Sequence, residues 1–204
     1  MIVDSYVKDI CERIKGKKVL DIGCCASTEK NLLKRHNEYK KTAKEIIGID
    51  YNKQLLKIAI EKGNKNLHCV DVTDGQTVND FMLQFGKFDT IVCTDVIEHI
   101  SNPGLFLDNL KKLLTDKGKV YLTTPNARST RWYAMYVRNR IKINDDHVAW
   151  YDTFTLKVLL KRHGLKITKT MYHSAEGGDA QFLKLNHQDW MARRLYVIIE
   201  KENV

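Results

Sequence analysis

Short apolar runs alternate along the chain with segments whose apolar residues recur at helical spacing. The run at 88–93 is apolar without alternation, which is typical of a central parallel strand covered on both faces. Gly, Pro and capping residues mark the helix boundaries. The pattern predicts strands at 19–22, 45–50, 67–70, 88–93, 119–123, 165–171 and 194–200. It predicts helices at 4–14, 27–36, 52–62, 78–85, 103–114 and 153–163, the second of them capped by Ser27 or Thr28.

Strands that alternate with helices favour a parallel sheet with helices on both faces. We therefore expect an α/β protein with a doubly wound, mostly parallel seven-stranded sheet. The length of 204 residues predicts a single domain, 1–204. The segment 126–152 is long and lies between the fifth strand and the next helix, so we expect it to form a lid over a binding pocket.

Composition limits the class of protein. Hydrophobic residues make up 43% of the chain, enough for a substantial core. A run of about 18 apolar residues is absent, so we expect no membrane span. The five cysteines form no C-x-x-C pair, and the N-terminus lacks the features of a signal peptide. These observations predict a reduced, cytoplasmic protein with buried thiols rather than a disulfide framework.

The net charge of +9 favours acidic partners such as nucleic acid, nucleotide-linked substrates or anionic lipid. Lysines are scattered over every predicted helix, however, and the charge can equally serve only solvation. One segment combines positive charge with aromatic residues and has no acid between residues 128 and 142. Its cations are Arg128, Arg131, Arg138, Arg140 and Lys142.

The residues 18–27 read as a buried strand that runs into a tight turn and then a helix. A dinucleotide fingerprint would place glycine at three positions of this turn, which here hold Gly23, Cys25 and Thr28. Because glycine lets the backbone approach a pyrophosphate, this turn is a poor pyrophosphate site. Asp21 at the end of the strand would repel polyphosphate and attract a cation such as an ammonium or a sulfonium.

The segment 20–24, Leu-Asp-Ile-Gly-Cys, resembles the first motif of class I methyltransferases that depend on S-adenosylmethionine (SAM). Further motifs stand in that family's order at 48–51, 69–72, 88–99 and 118–126. The resemblance covers about residues 15 to 200 and implies the class I methyltransferase fold with SAM as cofactor. Cys25 and Ser27 depart from the glycines that are usual in the family.

The resemblance also implies roles for the residues at the strand ends, where doubly wound sheets bind ligands. Asp21 would meet the methionine ammonium, directly or through water. The backbone of Gly23, Cys24 and Cys25 would pass close to the cofactor, and the following helix N-terminus would face its carboxylate. Asp50 would accept both ribose hydroxyls.

The remaining cofactor contacts are expected at the adenine and methionine ends. Tyr51 would lie against the adenine ring. Asp71 would accept from the adenine amino group, while the Val72 N–H donates to a ring nitrogen. Thr94 and Asp95, at the end of the fourth strand, would lie near the methionine part. Single strand-end carboxylates often only cap helices, so it is the set that indicates a cofactor site.

A cluster of acids and histidines follows the fourth strand. In a helical turn Asp95, Glu98 and His99 would share one face, and His147 lies in the expected lid. Either His99 or His147 is a general base that Glu98 orients, or the four side chains bind a divalent metal such as Mg²⁺ or Mn²⁺. A mainly structural role for Glu98 and His99 is the third alternative.

The metal alternative rests on a resemblance to two metal-using branches of the superfamily. These are the small-RNA 3′-terminal 2′-O-methyltransferases and the ubiquinone-pathway O-methyltransferases. The first ligand position there is usually Glu, whereas this chain has Asp95.

The stretch 147–165 looks like the corresponding stretch of small-molecule and glycan-pathway methyltransferases, in which Thr153 would cap a helix. The resemblance favours O-methylation of a small, anionic acceptor: a sugar, a sugar nucleotide or another phosphate-bearing metabolite. The cations of 128–142 would then bind phosphate.

Three alternatives stay open for this segment and this chain. The same cations and aromatic rings suit an RNA end, or they are simply solvated arginines and core rings. A non-catalytic SAM-binding partner subunit would keep the same strand ends. N-methylation is disfavoured, because no Asn/Asp-Pro-Pro-aromatic motif stands at 94–97, and nothing in the sequence predicts an oligomeric state.

Overall fold

The computed structural model describes residues 3, 5–26, 29–140, 143–174 and 189–202. These residues form a seven-stranded sheet in the order β3-β2-β1-β4-β5-β7-β6. β1 to β5 are parallel, and β7 runs antiparallel between β5 and β6. The strands are β1 Lys18–Ile22, β2 Glu45–Asp50, β3 Leu67–Cys69, β4 Phe88–Thr94, β5 Leu114–Pro125, β6 Leu165–His173 and β7 Arg194–Lys201. The predicted seven-stranded, mostly parallel sheet is thereby confirmed.

Helices connect the parallel strands and cover both faces of the sheet. They are α1 Tyr6–Ile14, α2 Lys34–Lys40, α3 Lys53–Glu61, α4 Gly75–Phe85, α5 Pro103–Leu113, α6 Thr130–Val137 and α7 Thr153–Arg162. Short 3-10 helices occur at Glu29–Asn31, Ile97–His99 and Asp189–Met191. Among the described residues, no helix is both long enough and apolar enough to cross a membrane.

Successive residues of the central strands enter two different cores. Val92 packs with Ile10 and Tyr39 beneath α1 and α2. Its neighbour Ile91 packs with Leu107 beneath α5, on the other face. Because side chains alternate across a strand, a strand that is covered on both faces needs apolar residues at consecutive positions. The unbroken apolar run of β4 follows from this arrangement.

The strand order fixes where a ligand can bind. The chain moves from β1 through β2 to β3 at one edge, and then returns to β4 on the other side of β1. The loops after β1 and β4 therefore leave in opposite directions and open a crevice at the carboxyl ends of the strands.

One predicted helix is misplaced, and one predicted helix cap is wrong. The second helix was expected at 27–36, but α2 is Lys34–Lys40 and is preceded by a 3-10 turn; the expected caps, Ser27 and Thr28, lie outside the described residues. Thr153 does not cap α7. Asp152 does so, because its carboxylate accepts from the backbone N–H groups of Phe154 and Thr155.

Candidate active site

A cavity of about 850 Å³ opens at the carboxyl ends of the parallel strands. Its wall includes residues that follow β1, β2, β3 and β4, together with Asn144, Asp146 and His147 from the expected lid. The volume lies in the upper part of the range of small-molecule and cofactor pockets, roughly 300–1,000 Å³. The cavity therefore has room for a cofactor and a small acceptor.

The turn after β1 brings the backbone close to this cavity. Gly23 has a φ of +70°, and a Cβ atom there would lie 2.5 Å from Cγ2 of Val96. A side chain at this position would therefore clash as well as strain the backbone. The N–H groups of Gly23 and Cys24 both donate to the carbonyl of Ile49, which holds the turn against β2.

Asp50 lies on the cavity wall at the end of β2 and is only 7% exposed. Its Oδ2 accepts from the Cys25 N–H at 3.0 Å, and its Oδ1 accepts from the Asn52 N–H at 2.9 Å. Burial raises the pKa of Asp50. Each oxygen of an ionised carboxylate has a second lone pair, so Asp50 can still accept from a pair of hydroxyls.

Three residues of the expected adenine site also line the cavity. Tyr51 is 76% exposed at its rim, so its ring is free to cover a ligand. Asp71 accepts from the N–H and Oγ1 of Thr73, which orients its carboxylate. Val72 follows Asp71 on the wall and is itself buried.

The structure places three other predicted cofactor residues behind the wall. Asp21 is 2% exposed, and its Oδ2 lies 2.9 Å from Nδ1 of His36, which is also buried. Cys24 and Thr94 are buried too. None of the three lines the cavity within the described part of the chain. Their roles stay predictions, and His36 is a partner of Asp21 that the sequence pattern did not reveal.

Asp95 lines the cavity and forms ion pairs with two arginines that the sequence pattern did not reveal. Arg35 contacts its Oδ2 at 2.8 Å, and Arg194 contacts the same oxygen at 3.1 Å. Thr123 Oγ1 donates to the other oxygen at 3.3 Å. Burial by itself lowers the pKa of Arg35, but the charge of Asp95 together with the contributions of Tyr6 and Tyr39 outweighs burial and raises the pKa. The negative charge of Asp95 is therefore compensated.

Glu98 lies in the 3-10 turn after β4 and is only 1% exposed. Thr124 Oγ1 donates to its Oε2 at 2.9 Å, whereas Oε1 has no hydrogen-bond partner among the described residues. Burial, and secondarily the nearby charge of Asp95, raise the pKa of Glu98 to about 7. Glu98 is thus a carboxyl group on the cavity wall that can exchange a proton near neutral pH.

His99 and His147 stand beside Glu98, with ring centroids 4.7 Å apart and ring planes at 84°. Nδ1 of His99 lies 3.1 Å from the carbonyl oxygen of Asp146. Because a carbonyl only accepts, Nδ1 carries the proton in the neutral ring, and Nε2 keeps a free lone pair. Burial, and then the neighbouring His99, lower the pKa of His147, which favours its neutral form.

Glu98, His99 and His147 form a group with metal-ligating chemistry. Their ligand atoms all lie within 4.8 Å of one another, and Asp95 is outside this group of described residues. The expected four-residue metal set is therefore brought together only in part, because Asp95 instead binds two arginines. Two imidazoles and one carboxylate suit a transition metal such as Mn²⁺ better than Mg²⁺, which prefers oxygen ligands.

The basic part of the expected lid lies away from the cavity wall. The guanidinium of Arg128 lies 4.6 Å from the ring centroid of Trp190 and 5.6 Å from that of Phe154. Every residue of α6 is at least partly exposed. Among the described cations of 128–140, none lines the cavity; Lys142 lies outside the described residues. The expected contact between these cations and phosphate stays a prediction.

Residues 4–170 match the family model of a methyltransferase domain. The ubiquinone biosynthesis O-methyltransferase of Glaesserella parasuis serovar 5 (strain SH0165) is 30% identical over 138 residues, which are 65% of this chain and 55% of the relative. That of Proteus mirabilis (strain HI4320) is 25% identical over 138 residues, 65% of this chain and 52% of the relative. The chain spans about half the length of these relatives.

Solved structures share the fold. A SAM-dependent methyltransferase from Archaeoglobus fulgidus superposes with a TM-score of 0.62 at 16% identity, over 97% of this chain and 95% of the other. Magnesium protoporphyrin IX methyltransferase from Synechocystis PCC 6803, solved with bound S-adenosylhomocysteine (SAH), superposes with a TM-score of 0.62 at 13% identity. The superposition covers 96% of this chain and 82% of the other. The family match and the shared fold show that the chain belongs to the class I SAM-dependent methyltransferases.

Proposed function

We propose that this chain transfers the methyl group of SAM to a hydroxyl oxygen of a small acceptor. The observation that carries the proposal is the group formed by Glu98, His99 and His147 on the cavity wall. Glu98 Oε1 is buried there and has no hydrogen-bond partner in the part of the chain that the structure describes. A buried carboxylate with one oxygen left without a hydrogen bond is costly to folding. Such a group is expected where it serves chemistry, here the proton of the acceptor.

The cofactor is expected to lie along the ends of β1, β2 and β3. Asp50 would accept the ribose hydroxyls through its free lone pairs, and the turn at Gly23 would let the backbone approach the methionine part. Asp71 and Val72 would meet the adenine edge. When bound in this way, SAM supplies a methyl group that its sulfonium already activates. The chain then has to align the acceptor and remove its proton.

The proton of the acceptor hydroxyl has two candidate receivers. The Nε2 atom of His99 has a free lone pair, and the Asp146 carbonyl fixes the ring. Glu98, with a pKa of about 7, can accept a proton directly or stabilise the charged imidazole. General bases work best when their pKa lies near the working pH, and Glu98 meets this condition.

A divalent metal is compatible with the same three side chains. Glu98, His99 and His147 would hold it, and its contribution would be to lower the pKa of the acceptor hydroxyl. The hydrogen bond from His99 Nδ1 to a backbone carbonyl is the usual support of a metal-binding imidazole. Mn²⁺ is the first ion to test, because two of the three ligands are nitrogen.

The relatives named ubiquinone biosynthesis O-methyltransferases support oxygen as the acceptor atom. Hydroxylated precursors of ubiquinone therefore join sugars, sugar nucleotides and other phosphate-bearing metabolites as acceptors to test. RNA is a second candidate, because α6 exposes Tyr133 and Tyr136 beside Arg138 and Arg140, which suits base stacking and phosphate contacts.

The test combines cofactor binding with methyl transfer. Calorimetry should show that S-adenosylhomocysteine binds with a Kd of about 1 μM, which corresponds to a binding free energy of about −8 kcal/mol. Radiolabelled SAM is then offered with each acceptor class, with Mn²⁺ or with EDTA. Glu98→Gln and His99→Ala should lose transfer by about 100-fold or more while they still bind S-adenosylhomocysteine. Loss of transfer in EDTA, restored by Mn²⁺, supports the metal; full activity in EDTA excludes it. Absence of S-adenosylhomocysteine binding would refute the proposal.

A further inference from the structure

Two adjacent cysteines and a carboxylate meet at the turn after β1, and methyl transfer uses neither thiol. The Sγ atoms of Cys24 and Cys25 lie 4.0 Å apart. One oxygen of Asp50 completes a group in which all ligand atoms lie within 4.8 Å of one another. Cys25 and Asp50 line the cavity, and Cys24 lies buried directly behind them.

The spacing of the two sulfur atoms fits one metal ion. Zinc binds thiolate sulfur at about 2.3 Å in tetrahedral geometry, which separates two bound sulfurs by about 3.8 Å. The sulfurs of Cys24 and Cys25 are therefore already close to the distance that a shared ion requires. Two thiolates and one carboxylate form a softer ligand set than that of Glu98, His99 and His147, and they select zinc or a similar thiophilic cation.

We propose that Cys24, Cys25 and Asp50 bind a thiophilic divalent cation of the Zn²⁺ class, and that this ion competes with the SAM cofactor. Binding breaks two S–H bonds and forms two metal–sulfur bonds and one metal–oxygen bond, to the Asp50 carboxylate. Both protons go to the solvent, and no electron is transferred. Because Cys25 and Asp50 line the cavity, a water molecule could supply a fourth ligand from there.

Competition follows from Asp50, since the same carboxylate oxygens would bind either the ion or the ribose. This half of the proposal rests on the proposed role of Asp50 in cofactor binding, whereas the metal site itself does not. Oδ2 of Asp50 already accepts the Cys25 N–H. That hydrogen bond brings the carboxylate and the second cysteine together before any ion arrives.

Cobalt is the probe for the site, because Co²⁺ bound to thiolates gives an intense near-ultraviolet charge-transfer band that nitrogen and oxygen ligands do not produce. We expect the reduced protein to show this band with one Co²⁺ per chain, and Zn²⁺ to abolish it. Cys25→Ser should lose the band. The control is Cys11→Ser, which should keep the band. Cys11 is a half-buried thiol away from the cavity, and it donates to the Glu38 carbonyl.

Cys24→Ala repeats the test with the second ligand, and circular dichroism of both variants confirms folding. If one variant fails to fold, the other decides. A missing band in the unmodified protein, or a band that persists in a folded Cys24→Ala or Cys25→Ser variant, would overturn the site.

Calorimetry with S-adenosylhomocysteine then tests the competition. With Zn²⁺ at ten times its own Kd, the apparent affinity should fall about tenfold in the unmodified protein and in Cys11→Ser. In Cys25→Ser the ratio of affinities with and without zinc should be about one. If the zinc effect instead disappears in His99→Ala and survives in Cys25→Ser, the ion acts at the other cluster and the proposal fails. A protein that shows the cobalt band but never binds S-adenosylhomocysteine would refute the proposed function and leave the metal site standing.

Discussion

Replacing Glu98 by Gln should flatten the dependence of folding stability on pH. In the folded protein, burial raises the pKa of Glu98 from 4.5 to about 7. Between these two values the folded state holds a proton that the unfolded state has released. The stabilising contribution of Glu98 is therefore complete below about pH 4.5 and is lost as the pH rises through 7.

The expected size follows from the same two pKa values. A tenfold difference in proton affinity corresponds to about 1.4 kcal/mol. Between pH 5 and pH 8 the unmodified protein should lose about 2–3 kcal/mol of unfolding free energy through Glu98 alone. Gln cannot ionise and can keep the hydrogen bond from Thr124 through its amide oxygen. Its amide nitrogen lacks an identified partner, which lowers stability by a similar amount at every pH and leaves the slope unaffected.

The assay is urea unfolding, followed by tryptophan fluorescence, at pH 5, 6, 7 and 8. Only the difference in pH dependence between the two proteins is used, so His147 and Asp50, which titrate in both, largely cancel. Glu12→Gln, on the exposed face of α1, is the matched control and should follow the unmodified protein. Equal slopes for the Glu98→Gln variant and the unmodified protein would refute a raised pKa at Glu98.

Three further changes test other parts of the structure by urea unfolding. Asp21→Asn replaces the buried carboxylate that contacts His36 by a neutral amide, and the weakening of this hydrogen bond should destabilise the fold by about 1–3 kcal/mol; a loss below about 0.5 kcal/mol would show that the pair is dispensable. Gly48→Ala would bring a Cβ to 2.9 Å from Cys24 Sγ in a packed core. We therefore expect the unfolding free energy to fall by about 1–3 kcal/mol. An unchanged urea midpoint would contradict that packing. Asp152→Ala removes the cap of α7 and should lower the unfolding free energy by about 1 kcal/mol, whereas no change would show that the cap does not stabilise the helix.

The central strands were predictable from sequence because they are buried on both faces. β2 has the predicted bounds, and β4 differs by one residue, since its consecutive apolar positions fit only one kind of element. The second helix was misplaced because Ser27 and Thr28 are good caps by residue type. The structure instead buries the consecutive residues Leu32 and Leu33 together against Leu56. Consecutive residues of an α-helix point about 100° apart, so a helix through both would not direct the two side chains to the same place. Packing between distant segments overrode the local pattern.

The cavity wall was predictable in the same way, whereas its ion pairs were not. Asp50 and Asp95 stand at strand ends, and the strand order alone brings them to one edge of the sheet. The partners of Asp95 come from α2 and from the start of β7, far away in sequence and without any motif. Only the folded sheet brings Arg35 and Arg194 to the same carboxylate.

Arg35 and Arg194 give Asp95 an environment that differs from that of Glu98, which lies only three residues later on the same turn. Both guanidinium groups bind Asp95, whose charge is thereby compensated. Glu98 receives one neutral hydrogen bond, from Thr124, and lies deeper in the protein. Environments that differ in this way give neighbouring acids different roles. Asp95 is bound by two arginines and holds the end of β4, while Glu98, with a pKa of about 7, is the carboxyl able to hold or release a proton near neutral pH.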